Sequence, residues 1–178
     1  MAIDQEVERL NRNTEILAMT FYPNSKIVST NDMYIPISKG YNTRRAYYKR
    51  SNELIEYQSD LYNRITEEYS DKIVDFMSNI LHRKNLGFKV YIFIGMPDMY
   101  YKQKSKSNDL RPYDLSNYLK STEDIIATRL GIDDKYNMEL FPIKYKSDEE
   151  FWRTTVIMIP VDYSIYNESY ILENLAKL

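Results

Sequence analysis

The feature that most constrains this chain is a change of hydrophobic period near residue 86. Leu54, Tyr57, Leu61 and Ile65, then Ile73, Phe76, Met77 and Ile80, recur at intervals of three and four. That is the spacing of one helix face. In "LGFKVYIFIGMPDMYY", Val90, Ile92 and Ile94 then alternate with aromatic and small residues, as in a buried strand. A long helix feeding a buried strand requires a sheet with helices packed on it. With 178 residues the chain is long enough to bury one core of its own.

The remaining elements follow from turn signals and periodicity. Asp4 to Thr14 reads as a short helix. "EILAMTFYP" reads as a first strand, stopped by Pro23 and Asn24. Residues 24–42 read as mostly loop. The long helix is expected from about Thr43 to His82, with room for a break near Tyr69 to Asp71. Lys102 to Pro112 reads as a polar loop, followed by a helix in "RPYDLSNYLKSTEDIIATRLGIDD". "MELFPIKYKSD" and "FWRTTVIMIPVD" read as two strands joined in a hairpin by "SDEE". A final helix closes the chain, with Ile165, Ile171, Leu172 and Leu175 as its apolar stripe. The expected fold is α+β: a single domain, 1–178, with a mixed sheet and helices packed on it.

The residues absent from the chain narrow the chemistry. There is no cysteine, which removes disulfides, thiolate catalysis and cysteine-ligated zinc. His82 is the one histidine. Any metal site must therefore be built from oxygen ligands, which points to Mg²⁺ or Mn²⁺. "MAIDQEVERLNRN" has no basic segment followed by an apolar run, and "VYIFIGM" is far too short to span a membrane. A soluble cytoplasmic protein with no membrane partner is expected.

The formal net charge is -2, but its distribution is polarised. "KGYNTRRAYYKR" carries Lys39, Arg44, Arg45, Lys49 and Arg50 with no acid, and "YKQKSKSNDLRP" carries Lys102, Lys104, Lys106 and Arg111 against Asp109 alone. Such stretches are either solvated loops or phosphate contacts. Tyr41, Tyr47, Tyr48, Tyr100 and Tyr101, interleaved with them, suit either packing or stacking on bases.

The helix after the second basic stretch has an unusual polar face. At about 100° per residue from Asp114, Leu115, Leu119, Thr122, Ile126 and Leu130 fall between roughly 80° and 160°, a core-facing stripe. Asn117, Asp124 and Lys120 fall on the opposite face. Asp114 suits an N-cap, and the glycine of "GIDD" suits a helix stop before Asp133 and Asp134. On these residues alone, an ordinary solvated helix accounts for the pattern.

The whole run "YDLSNYLKSTEDIIATRLGIDD" resembles the RusA family of Holliday-junction resolvases. That family carries an Asp-Leu-Asp-Asn signature, a Lys three residues after the Asn, an Asp four further on and a downstream Asp-Asp. The matching residues are Asp114, Leu115, Asn117, Lys120, Asp124, Asp133 and Asp134. "VSTNDMYIP", which contains Asn31, resembles the family's N-terminal Pro-Ser-Asn-Asn-x-Tyr loop. "IFIGMPD" sits where the family's strand enters its active-site loop. The resemblance covers about residues 18–160, so the first and last helices look like additions.

The resemblance implies a homodimer that cuts four-way DNA with Mg²⁺, in recombination and repair; such proteins are common in phages. It implies metal binding by Asp114 and Asp134, with Asp133 able to swing in. It implies a catalytic role for Lys120, which would stabilise developing charge or orient water, and for Asn117, which would orient a carboxylate or phosphate. The basic stretches and Asn31 would contact DNA. One position departs from the pattern: Ser116 stands where the signature has its second Asp. Ser116 would then be a neutral ligand or hold a water, and weaker metal binding with a preference for Mn²⁺ is expected. Asp124, about 15 Å along the helix from Asp114 at 1.5 Å per residue, is expected behind the ligands or in packing rather than on the metal. Two alternatives stand beside the nuclease: a relative that binds branched DNA without cutting, and an interaction module that binds a host protein.

Overall fold

The computed structural model describes residues 2–23, 34–37, 47–97 and 115–177. Among them the elements run α1 (Ala2–Leu10), β1 (Leu17–Phe21), β2 (Tyr34–Ile37), β3 (Tyr47–Arg50), α2 (Asn52–Ile80), β4 (Leu86–Pro97), α3 (Ser116–Leu130), β5 (Asn137–Ser147), β6 (Arg153–Asp162) and α4 (Glu168–Leu175). The main sheet has the order β1-β6-β4-β5; β2 and β3 form a separate antiparallel pair. β4 pairs parallel with β5 and antiparallel with β6. The sheet is mixed and the fold is α+β, as the change of period requires. No helix among the described residues is long and apolar enough to cross a membrane.

β4 carries the core. Phe88, Val90, Ile92, Ile94 and Met96 are buried and share one face. They join Leu17, Met19 and Phe21 of β1, Val156 and Met158 of β6, and the buried stripes of α2 and α3. Leu54, Tyr57, Leu61, Ile65, Ile73, Phe76 and Ile80 of α2 are all buried, as their spacing predicts. The other face of β4 presents Lys89, Tyr91 and Phe93, all half-buried, and Tyr91 stacks on Phe141 with ring centroids 4.7 Å apart.

Several sequence expectations need correction. The long helix does not begin at residue 43: residues 47–50 form β3, so Lys49 and Arg50 lie on a strand. The helix starts at Asn52, capped by Ser51, whose hydroxyl accepts from the Leu54 amide at 3.1 Å. It runs unbroken through residues 69–71. Tyr69 stays on the stripe, packed against the core, and its hydroxyl accepts from the Thr20 amide and donates to the Thr20 carbonyl, both at 3.0 Å.

The hairpin of β5 and β6 does not form, because β4 lies between them. Ser147 ends β5 opposite Pro97, and Arg153 starts β6 opposite Gly95, so residues 148–152 cross the end of β4. The first helix spans Ala2–Leu10 rather than 4–14. At the other end, Ile165 falls in a 3-10 turn, and Ile171, Leu172 and Leu175 are exposed rather than packed. This end is instead held by polar contacts: Glu139 accepts from Tyr166 at 2.6 Å and Tyr170 at 2.7 Å, and pairs with Lys89 at 2.8 Å.

Candidate active site

Helix α3 crosses from β4 to the parallel β5, and its own sequence sets which side faces out. Thr122, Ile126 and Leu130 are buried as expected; Tyr118, Ser121 and Ile125 are buried as well, while Leu115 and Leu119 are only partly so. The buried stripe is thus wider than the one read from Leu115, because α3 packs against α2 as well as the sheet. Tyr57 of α2 bonds Thr122 at 2.8 Å, a contact that fixes the two helices in register. The complementary face, with Lys120 and Asp124, is left to solvent.

The segment after α3 returns the chain to that face. Gly131 stops the helix in the left-handed region (φ 66°), the conformation that favours glycine at a helix C-terminus. Residues Asp134–Tyr136 make a 3-10 turn, and Asn137 at once donates to Glu123 of α3 at 2.7 Å. The return segment is therefore pinned at both ends, at Gly131 and at Asn137.

Asp134 is held in this way against Lys120. The Lys120 ammonium lies 2.7 Å from Asp134 Oδ2 and 2.7 Å from Asp124 Oδ1. Bonds to Asp124 and then Asp134 hold its pKa above that of an ordinary lysine. Asp133 is engaged differently. It caps the 3-10 turn, accepting from the Lys135 amide at 3.0 Å and pairing with the Lys135 ammonium. These contacts lower its pKa, the backbone amide first.

Asp124, Asp133 and Asp134 line one open concavity with Thr128, Gln58 and Arg50. Arg50 stands on its wall, its guanidinium donating to Gln58 at 3.3 Å. One end of β3 thereby brings a fixed positive charge to the face of α3 that carries the carboxylates.

Of the residues expected at the site, the structure brings together Lys120, Asp133, Asp134 and Arg50. Ser116 and Asn117 are described by their backbone, as the first two residues of α3, and Lys49 by its backbone in β3. Asn31, Arg44, Arg45, Lys102, Lys104, Lys106, Asp109, Arg111 and Asp114 lie outside the described residues; the N-cap of α3 is Leu115, which makes no side-chain cap bond, rather than Asp114. Sequence reasoning placed Asp124 by its distance from Asp114 and missed its nearness to Asp134. Two oxygens on one nitrogen can be no farther apart than twice 2.7 Å. The available signal was the spacing of four from Lys120.

Of the expected ligands, Asp134 is the one whose side chain is both described and set at the concavity beside Lys120; its carboxylate oxygens are of the type that Mg²⁺ and Mn²⁺ take. Among the described residues no group of three acidic, histidine or cysteine side chains forms a complete site. No protein-family model matches this chain, and no curated protein matches it.

Proposed function

We propose that the chain is a metal-dependent endonuclease that cuts four-way or branched DNA, as its resemblance to the RusA resolvases implies. The observation that carries this reading is the Lys120–Asp134 contact. Two signature residues 14 apart in sequence meet at 2.7 Å, and one of them, Asp134, lines an open concavity with Arg50. An ordinary solvated helix face gives no reason for the chain to return and set a second carboxylate beside that lysine.

In this reading Asp134 holds the divalent cation together with Asp114, and Ser116 contributes a neutral oxygen. The bound cation supplies Lewis-acid polarisation of the phosphate and an activated water. Lys120 offers its ammonium to the charge that builds on the phosphoryl oxygens. Arg50, on the wall of that concavity, holds a neighbouring phosphate in this reading. Asp133 caps the 3-10 turn and pairs with Lys135, so it joins the ligands only by giving up those contacts. Junction resolution needs two symmetric cuts, so the working unit is a two-fold dimer.

The test is cleavage of an end-labelled four-way junction and a linear duplex of the same sequence, with Mg²⁺ and then Mn²⁺. Paired, symmetric nicks in the junction alone, lost in Asp134→Asn, are the expected result. Binding without nicking in both metals overturns the enzyme and leaves a junction binder. If neither binding nor cutting is seen at low salt, the DNA reading falls altogether.

A further inference from the structure

The two carboxylates on Lys120 are tied to it in different ways. Asp124 is four residues on in the same helix, so helix geometry keeps it within reach whatever the rest of the site does. Asp134 lies beyond Gly131, on the return segment, and meets Lys120 only because that segment folds back. Asp124 is thus the permanent partner and Asp134 the exchangeable one. The pair runs lysine then aspartate, the less stabilising of the two orders for a helix.

A divalent cation on Asp134 changes what Lys120 can do. A cation on Asp134 draws on the same negative charge and repels the ammonium, so the hold of Asp134 on Lys120 weakens and the contact with Asp124 carries more of it. We propose that Asp124 is a positioning residue: it receives the Lys120 ammonium when a divalent cation takes Asp134, and keeps that ammonium beside the phosphate. This inference rests on the metal-dependent reading above. In the metal-free site the ammonium neutralises both carboxylates. In the loaded site it stays on Asp124, still on the wall of the concavity. Without Asp124, Lys120 has Asp134 as its one anionic contact of this pair and competes with the metal for it.

The test is Mn²⁺ binding to the full chain without DNA, followed by the paramagnetic resonance signal of free Mn²⁺. Four proteins form a double-mutant cycle: wild type, Asp124→Asn, Lys120→Gln and the double variant. Asp124→Asn is expected to weaken Mn²⁺ binding severalfold when Lys120 is present, and by less than twofold in the Lys120→Gln background. Lys120→Gln alone is expected to tighten it. Asp124→Glu, which keeps the carboxylate, is expected to restore affinity.

Equal weakening in both backgrounds would mean that Asp124 ligates the cation itself, and would overturn the positioning role. No change in either background would make the pair a plain surface ion pair and overturn it too. Both failures leave the nuclease reading standing. Failure of the wild type to bind Mn²⁺ at all would overturn both.

Discussion

Arg153 and Lys120 each sit between two carboxylates, and the two clusters differ in almost every other respect. Around Arg153 the guanidinium side chain is 7% exposed and pairs with Glu149 and with Asp4 at 3.5 Å. It also donates to the Tyr22 hydroxyl at 2.7 Å, and that hydroxyl donates to Asp4 at 2.8 Å. The group lies 4.9 Å over the Tyr22 ring. α1, β6 and the crossing that leads into β6 all meet on this one charge. Around Lys120 the ammonium side chain is 48% exposed, and both partners belong to one helix and its return segment. The first cluster is closed and joins elements distant in sequence. The second is open, joins nothing that the backbone does not already join, and faces a concavity. The charge of Arg153 is held inside the fold, while that of Lys120 is open to solvent.

That contrast predicts opposite phenotypes. The largest effect is on cleavage: Asp134→Asn is expected to slow nicking by at least about 100-fold, the scale of losing a group that acts on transition-state charge. Its melting temperature should barely move, since exposed ion pairs contribute about 1 kcal/mol or less. Arg153→Met should do the reverse. Removing a buried partner costs about 3–5 kcal/mol, and the third-exposed carboxylates of Asp4 and Glu149 bring this toward the lower end. At about 2–4 °C per kcal/mol for a chain of this size, melting should fall by roughly 5–10 °C. Nicking per folded molecule should be retained. Cleavage and thermal melts on the same preparations check both, and matching phenotypes would break the comparison.

A smaller effect tests the β1 edge, which lies next to the closed cluster. Asn11 donates to the Ala18 carbonyl at 2.8 Å and accepts from its amide at 3.0 Å, and Tyr69 does the same at Thr20. Tyr69→Phe is expected to cost about 1–2 kcal/mol, the loss of part-buried hydrogen bonds, with no change in cleavage. Urea unfolding at fixed m-value checks it.

The smallest effect is a pH dependence. Burial, and then its bond to Asp4, pushes the Tyr22 hydroxyl up to about 12; burial pushes Tyr57 to about 12 as well. An unfolded chain releases such protons near about pH 10. Between these values the folded state holds more protons than the unfolded one. Stability from these groups is therefore full below about pH 10 and is lost as pH rises toward 12. Unfolding midpoints measured from pH 9 to 12 should fall, and less steeply in Tyr22→Phe. A flat profile would show that the closed cluster does not hold the Tyr22 proton.

Local pattern made much of this legible, and long-range packing hid the rest. The α2 stripe, the β4 alternation and the Gly131 stop all depend on neighbours within a few residues, and they stand where periodicity put them. Strand order does not depend on such neighbours. The short link of residues 148–152 looked like a hairpin, yet it crosses β4. Two signals bore on this: Pro142, which cannot donate to a ladder, marks β5 as an edge strand, and the long apolar run of β4 marks a central one. For the same reason the meeting of Asp124 and Asp134 on Lys120 was not legible. The distance of Asp124 along the helix from Asp114 could be read from the sequence, while the fold-back that brings Asp134 to Lys120 is a property of the return segment. Ile165, Ile171, Leu172 and Leu175 are apolar but exposed rather than a packed stripe, and the hold on this end is polar, through Glu139.

The central claim is that Lys120, set against Asp134, works on a DNA phosphate. The measurement that tests it most directly is single-turnover nicking of a four-way junction in Mn²⁺ by wild type and Lys120→Met, with junction affinity measured alongside. The account predicts a loss of about 100-fold or more in rate with nearly unchanged binding. Nicking by Lys120→Met at the wild-type rate would contradict it.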